Sequence, residues 1–415
     1  MSRIPDSFID ALLARTDIVE VIDARVKLRR AGREYTACCP FHDERSPSFT
    51  VSPTKQFYHC FGCGAHGTAI KFVMEYDRLE FLDAVEELAK RAGMEVPRED
   101  RATRGPQDDF APLYAATRQA ADWFRQQLGN AASAKAYLQK RGVDAATQAK
   151  FELGFAPGGW DALLSALGRD EAARRTLDKV GLSSKNDAGK VYDKFRDRLM
   201  FPIHDRRGRV IGFGGRVMAA DESPKYLNSP ETPLFRKGRE LYGLWQVKQA
   251  HARIPRLIVV EGYMDVVALF QYGIHEAVAT LGTATTPDHA ELLFRNASDV
   301  YFCFDGDRAG RAAAWKALEA ALPRMRDGRQ AFFLFLPEGE DPDSLVRKEG
   351  AEGFDQRLKS ALPLSTFFFN EMSRDIQLDA LDGRARLAER VRPLLQSVPD
   401  GAFRDLMWQR LNELT

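Results

Sequence analysis

In the second half of this chain, carboxylates stand where apolar runs end. Leu257 to Val260 leads into Glu261 and Asp265, Val300 to Phe304 into Asp305-Gly-Asp307, and Phe332 to Leu336 is soon followed by Asp341-Pro-Asp343. A buried strand that stops on an acid and gives way to a helical stretch is the pattern of an open parallel α/β sheet, which presents ligands beyond its carboxyl edge. Hard oxygens converging there suit Mg²⁺ or Mn²⁺, and such ions assist phosphoryl transfer. Taken alone, an Asp-Gly-Asp turn is more often a solvated loop. Acids near successive strand ends shift the balance towards metal, and the alternating ligand ladder of a calcium loop is missing.

A second set of residues suits a softer ion. Cys39-Pro-Phe-His42 and Cys60-Phe-Gly-Cys63 are two pairs, each with two intervening residues, and 17 residues separate them. Two such knuckles complete a closed tetrahedron around one zinc ion, which holds a fold and performs no chemistry. Cys38 does not reproduce the two-residue gap, and His59 is expected on the face opposite Cys60. Arg29, Arg30, Arg33 and Lys55 accompany Tyr35, Phe49, Phe57 and Tyr58, a mixture that suits single-stranded nucleic acid, although several of the rings must form the core of so small a ribbon.

The elements that position these groups follow from length and pattern. With 415 residues, 44% hydrophobic and 29% charged, the chain needs more than one core. Residues 1–97 read as a zinc-binding module, with helices near Ser7–Arg15, Thr68–Tyr76 and Phe81–Arg91. The stretch 98–109 is nearly free of large apolar side chains and reads as a flexible linker. A basic α+β subdomain is expected over 110–255, the metal-binding βα repeats over 256–345, and helices over 346–415, ending in amphipathic Phe403–Leu414. Residues 190–256 carry 15 Lys/Arg against 7 Asp/Glu, and 257–345 carry 7 against 14. A cationic segment beside an acidic one suits a polyanionic substrate. Five cysteines make a poor disulfide framework, and no apolar run approaches a membrane span, so a reducing, cytoplasmic setting is expected.

Together these motifs resemble the bacterial replicative DNA primases of the DnaG type. The resemblance runs in order through Cys39-Pro-Phe-His42, Pro47-Ser-Phe49, Cys60-Phe-Gly-Cys63-Gly-Ala, Tyr137-Leu-Gln-Lys-Arg141-Gly, Phe195 to Ile203, Lys225-Tyr-Leu-Asn-Ser-Pro230 and the strand-end acids, which resemble a Toprim domain. It implies a multidomain α/β fold and templated synthesis of short RNA from ribonucleoside triphosphates on single-stranded DNA at the replication fork. Glu261, Asp305 and Asp307 would ligate two Mg²⁺ or Mn²⁺ ions, and Asp265, Asp341 and Asp343 would hold a second ion or its water. Arg141, Arg196, Arg198, Arg216, Lys225 and Lys237 would hold triphosphate and template, with Tyr226 stacking on a base. Family members continue into a helicase-binding domain, whereas this chain stops at Thr415 after helices expected to close the polymerase core. Helicase binding is therefore not expected, and the chain is expected to be a monomer. A nuclease, a topoisomerase and a recombination mediator are the competing readings of an acidic, metal-binding fold.

Overall fold

The computed structural model describes residues 4, 6–96, 110–218 and 224–415. The expected linker at 98–109 lies outside the described residues. The chain divides into two compact units, Met1–Asp108 and Asp109–Thr415.

In the first unit, β1 (Arg29–Ala31), β2 (Glu34–Ala37), β3 (Phe49–Ser52), β4 (Phe57–Cys60) and β5 (His66–Gly67) form an antiparallel meander in chain order. Alternation decides which rings are core. Tyr58 and Cys60 point inward with Phe49 and Val51, all fully buried, against Leu12, Ile18 and Phe72 of the surrounding helices. Phe57 and His59 take the opposite face, as the period of a strand requires.

The second unit opens with helices Ala111–Asn130 and Ala132–Lys140, then builds two sheets. Its antiparallel sheet uses β6 (Gly154–Ala156), β9 (Arg198–His204), β10 (Val210–Val217) and β11 (Tyr226–Asn228) in the order β11-β10-β9-β6, and β7 (Ser183–Lys185) and β8 (Val191–Asp193) form a separate hairpin. Its second sheet has the order β13-β12-β14-β15-β16, with β12 (Leu257–Val260), β13 (Ala277–Ala279), β14 (Asp299–Phe304) and β15 (Gln330–Phe335) parallel and β16 (Leu362–Pro363) antiparallel. From β12 the chain first passes to β13 on one side, and β14 then adds on the other. The order thus reverses between β12 and β14, where an open α/β sheet leaves a crevice beyond its strand ends. Glu261 and Asp305 directly follow these two strands.

The antiparallel sheet lies against the parallel one through Phe201, Tyr242 and Tyr263, part of a single buried core with Ile258 and Val260. The glycines of β10 make this possible. β10 is buried along its whole length. A Cβ on Gly214 would meet the Tyr263 ring at 2.4 Å, and one on Gly215 would meet Phe195 at 2.8 Å. The missing side chains let rings lie flat on the strand. On the far side of the parallel sheet, Phe302 and Phe333 pack with Phe367 and Phe368 of helix Leu364–Ser373, and with Leu387 and Leu411 of helices Leu381–Gln396 and Ala402–Leu414.

Gly214→Ala is therefore expected to cost about 1–3 kcal/mol of stability, the scale of overpacking a filled core. Thermal denaturation checks it; an unchanged midpoint would show that Tyr263 yields freely.

Candidate functional site

In the first unit, one thiol or imidazole atom from each of Cys39, His42, Cys60 and Cys63 lies within 4.8 Å of the other three. Cys39 Sγ is 3.8 Å from Cys63 Sγ, and Cys60 Sγ is 3.7 Å from His42 Nδ1. Three thiols and an imidazole, closed on all sides, fit a structural zinc ion. Cys38 is exposed and stays outside the group. The local backbone is built for the knuckles. A Cβ on Gly62 would sit 2.6 Å from His42 Nε2 and 2.9 Å from Ser48 Oγ, so only glycine fits. Backbone N–H groups of Phe41 and Cys63 point at Cys39 and Cys60 sulfurs, each at 3.4 Å.

Glu44 was missed in the sequence. Its carboxylate accepts from Cys39 N at 2.6 Å and Ser48 N at 3.0 Å, and lies 3.3 Å from His42 Nε2. A carboxylate on the outer ring nitrogen orients a metal-binding histidine. No spacing rule places an acid two residues after such a histidine in this role; tertiary proximity decides it. On the outer face of the sheet, His59 packs against Phe61 at 4.6 Å, and Phe57 against His66 at 5.9 Å, with Phe61 75% exposed.

In the second unit, a cleft of about 250 Å³ at the β12–β14 switch is lined by Glu261, Asp265, Asp305, Asp341 and Asp343 together with Arg141, Arg216, Lys225 and Tyr226. Asp307 does not line this cavity, but its charge reaches both Glu261 and Asp305. Helix starts fix several of the acids. Asp265 accepts from Gly262 N at 3.0 Å in the first turn of helix Tyr263–Gln271, Asp307 caps helix Arg308–Ala321 through Gly310 N at 2.7 Å, and Asp341 caps helix Pro342–Lys359 through Ser344 N at 2.7 Å. Each is held where N-terminal N–H groups favour negative charge.

The acids repel one another. Burial raises the Glu261 carboxyl above its usual range, and Asp305 and Asp307 raise it further. Asp305 is raised by burial, then by Asp341 and Asp307. Asp265 is pushed up to about 8 by burial and by Asp341 and Asp343. Crowded hard oxygens of this kind fit divalent cations, which relieve the repulsion. Among the described residues, only the Cys/His quartet brings its donor atoms into one tight group.

Of the predicted cations, the cleft gathers Arg141, Arg216 and Lys225. Arg216 is only 6% exposed; its Nε donates to Tyr226 Oη at 3.0 Å, and its guanidinium lies over the Tyr137 ring at 5.1 Å. Tyr226 thus grips an arginine and packs on Tyr263 at 5.9 Å, where base stacking was expected. Arg198 donates to Pro224 O at 2.9 Å, and the Arg196 guanidinium lies against both the Trp160 and Tyr192 rings, at 4.7 and 4.9 Å. Neither these two nor Lys237 lines the cleft. Sequence reading also missed Asn228, which accepts from Tyr263 Oη at 2.7 Å, although strand alternation places it on the same face as Tyr226.

Comparison with known proteins bears on these features. Residues 4–104 match the family described as CHC2 zinc finger, 123–248 the DNA primase catalytic core N-terminal domain, 256–328 the Toprim domain and 365–415 the DnaB-helicase binding domain of primase. The DNA primase of Escherichia coli (strain K12) is 55% identical over 99% of this chain and 71% of its own length. That of Pseudomonas aeruginosa is also 55% identical, over 99% of this chain and 63% of its own. The chain thus spans somewhat under two thirds of one relative and somewhat over two thirds of the other. A solved DnaG primase catalytic domain bound to ssDNA, 53% identical, covers 73% of this chain and 98% of its own with a TM-score of 0.70. The Aquifex aeolicus primase, comprising zinc-binding and RNA polymerase domains, covers 98% of this chain and 96% of its own at 36% identity, with a TM-score of 0.62.

The match at 365–415 corrects the expectation that a helicase-binding segment is absent. That expectation treated the last helices only as closure of the polymerase core. Their apolar faces do pack on the parallel sheet, and an apolar stripe says nothing about what the opposite, exposed face contacts. Among the described residues, no helix is long and apolar enough to cross a membrane.

The raised Asp265 carboxyl sets a pH dependence. Its proton is bound more tightly in the folded state, so its contribution to stability falls as pH rises from the ordinary carboxylate range towards about 8. Without added divalent cation, Asp265→Asn should melt higher than the unsubstituted protein at pH 7, with the gap narrowing towards pH 4. Melting curves across that range check it; a gap that widens on acidification would reverse the sign.

Proposed function

This chain belongs to the DnaG-type DNA primase family, and we propose that it assembles short RNA on a single-stranded DNA template from ribonucleoside triphosphates. The observation that carries this reading is one cleft at the β12–β14 switch that gathers the acid row together with Arg141, Arg216 and Lys225. Acids and cations in one cleft suit a nucleotide whose polyphosphate needs both metal and guanidinium partners. The 3′-hydroxyl of one ribonucleotide attacks the α-phosphate of the next, and pyrophosphate leaves. Glu261, Asp305 and Asp307 would hold two Mg²⁺ or Mn²⁺ ions, with Asp265 and Asp341 on their water, and these ions activate the hydroxyl and screen the leaving oxygen.

The chain's own groups do the rest. Lys225 and Arg216 hold phosphate oxygens, and Arg216 is kept rigid by Tyr226 and Tyr137. Trp160, 61% exposed and T-shaped on Tyr192 at 5.5 Å, forms with Arg196 a cation-backed platform for template bases. In the zinc unit, Phe57, His59 and Phe61 on the outer sheet face offer a second reading surface, and the zinc ion holds that sheet in shape. The segment 365–415 would contact a DnaB-type helicase.

Glu261→Gln and Asp305→Asn should each reduce primer synthesis by on the order of a hundredfold or more, the scale of losing one group that stabilises transition-state charge. Gel assay of labelled RNA made on single-stranded DNA with ribonucleotides and Mg²⁺ or Mn²⁺ checks it. Wild-type-like synthesis by both folded variants would remove these acids from the site, and shortened template without RNA would favour a nuclease.

Trp160→Ala should weaken single-stranded DNA binding about 5- to 150-fold, corresponding to one lost base stack. Fluorescence anisotropy with a labelled oligonucleotide measures it; unchanged affinity would exclude the platform.

A further inference from the structure

We infer that Asp343 is a positioning residue: it aims Arg141 and Arg347 into a basic pocket beside the acid cleft, where they take phosphate oxygens. The inference rests on the polymerase reading above and departs from it at one residue, because Asp343 was expected among the metal ligands.

The Asp343 side chain is 1% exposed. Arg141 Nη1 lies 2.5 Å from Asp343 Oδ2, and Arg347 Nε lies 2.9 Å from Oδ1 as an ion pair while donating its hydrogen bond to the Asp343 backbone carbonyl at 3.2 Å. A metal ion reaching Oδ2 would have to displace Arg141 from this ion pair, which is costly. Asp341 differs: one of its oxygens caps a helix through Ser344 N. The two arginines come from distant parts of the unit. Arg347 is one helical turn beyond Asp343 on helix Pro342–Lys359, and Arg141 ends helix Ala132–Lys140, 202 residues earlier in the chain. One buried anion therefore draws together cations from two distant segments, with Arg347 also held by the Asp343 backbone carbonyl.

What they face is a pocket of about 580 Å³ whose charged lining among the described residues is Lys140, Arg141, Arg216, Lys225 and Arg347. Arg141 and Arg216 also lie over the same Tyr137 ring, at 5.5 and 5.1 Å. The pocket shares Arg141, Arg216 and Lys225 with the acid cleft, so an anion held there lies next to the reacting groups. Five cations held at fixed angles suit clustered phosphate oxygens. Those oxygens belong either to a ribonucleotide triphosphate or to the template phosphodiester.

The experiment compares Asp343→Asn, Arg347→Met and Asp305→Asn in the full chain, each checked for folding by thermal melting. Mn²⁺ affinity is measured by paramagnetic resonance of the free ion, the KM for ribonucleotides by primer extension, and the Kd for single-stranded DNA by anisotropy. Asp343→Asn should leave Mn²⁺ affinity within about twofold, as for a residue independent of the ion site. It should raise the ribonucleotide KM or the DNA Kd by about 10- to 100-fold, the scale of one or two charged hydrogen bonds. Arg347→Met, which changes a partly exposed side chain, should show the same rise. A rise in KM identifies the triphosphate as ligand, and a rise in Kd identifies the template. Loss of Mn²⁺ affinity in Asp343→Asn equal to that in Asp305→Asn would overturn the inference, as would unchanged KM and Kd in Arg347→Met. Unchanged Mn²⁺ affinity and synthesis in Asp305→Asn would strike the cleft reading instead, leaving Asp343 to be judged on KM and Kd.

Discussion

Mutual repulsion among carboxylates at the end of β12 and β14 is the constraint around which the second unit is organised. Glu261, Asp265 and Asp305 are each raised by burial and again by a neighbouring acid. A fold tolerates this only where something local favours the charge or the proton. Asp307 and Asp341 start helices and receive backbone N–H groups, Asp265 sits in a first turn, and Asp343 takes two guanidiniums. Glu261 and Asp305 directly follow the two central strands and precede the helix starts. Neither is a helix cap, and in the proposed mechanism they are the first seat of a dication.

The same constraint explains the cationic wall. An arginine that is 6% exposed, as Arg216 is, loses most of its hydration, and the faces of Tyr137 and Tyr226 together with the Tyr226 hydroxyl replace it. The rings needed for this sit on β11 and the helix before Arg141, outside the parallel sheet. The antiparallel sheet therefore has to press closely on the parallel one, and the bare face of β10 at Gly214 permits it. Cleft, cation wall and glycine row are consequences of one packing arrangement.

Much of this was legible in sequence, and the failures have physical causes. Strand-end acids show because a buried strand followed by a helix is a local pattern, and Leu257–Val260 and Val300–Phe304 fall within a residue of β12 and β14. The zinc quartet shows because its spacing is itself the chemistry. Arg196 and Arg198 illustrate the limit: with one residue between them, one lies against two neighbouring rings and the other bonds backbone carbonyls. Nothing in the letters separates a cation that meets phosphate from one that braces a loop. Glu44 and Asn228 act through partners that only folding brings near. Arg347, one turn from Asp343, was legible by helical period and went unused.

The two metal chemistries in this chain are opposite solutions to holding a cation. Around Cys39, His42, Cys60 and Cys63 the donors are soft and closed, and Gly62 and Glu44 keep the imidazole in place. A saturated ion has no position for substrate, so its free energy goes into shape. At the strand ends the donors are hard, open and crowded, and the acid row is completed only when cations arrive. A closed soft site can sit on a small meander packed against a few helices. An open hard site needs helix starts, a switch in strand order and buried arginines to keep like charges together. That difference in cost is why the larger unit, with its two packed sheets, carries the acids.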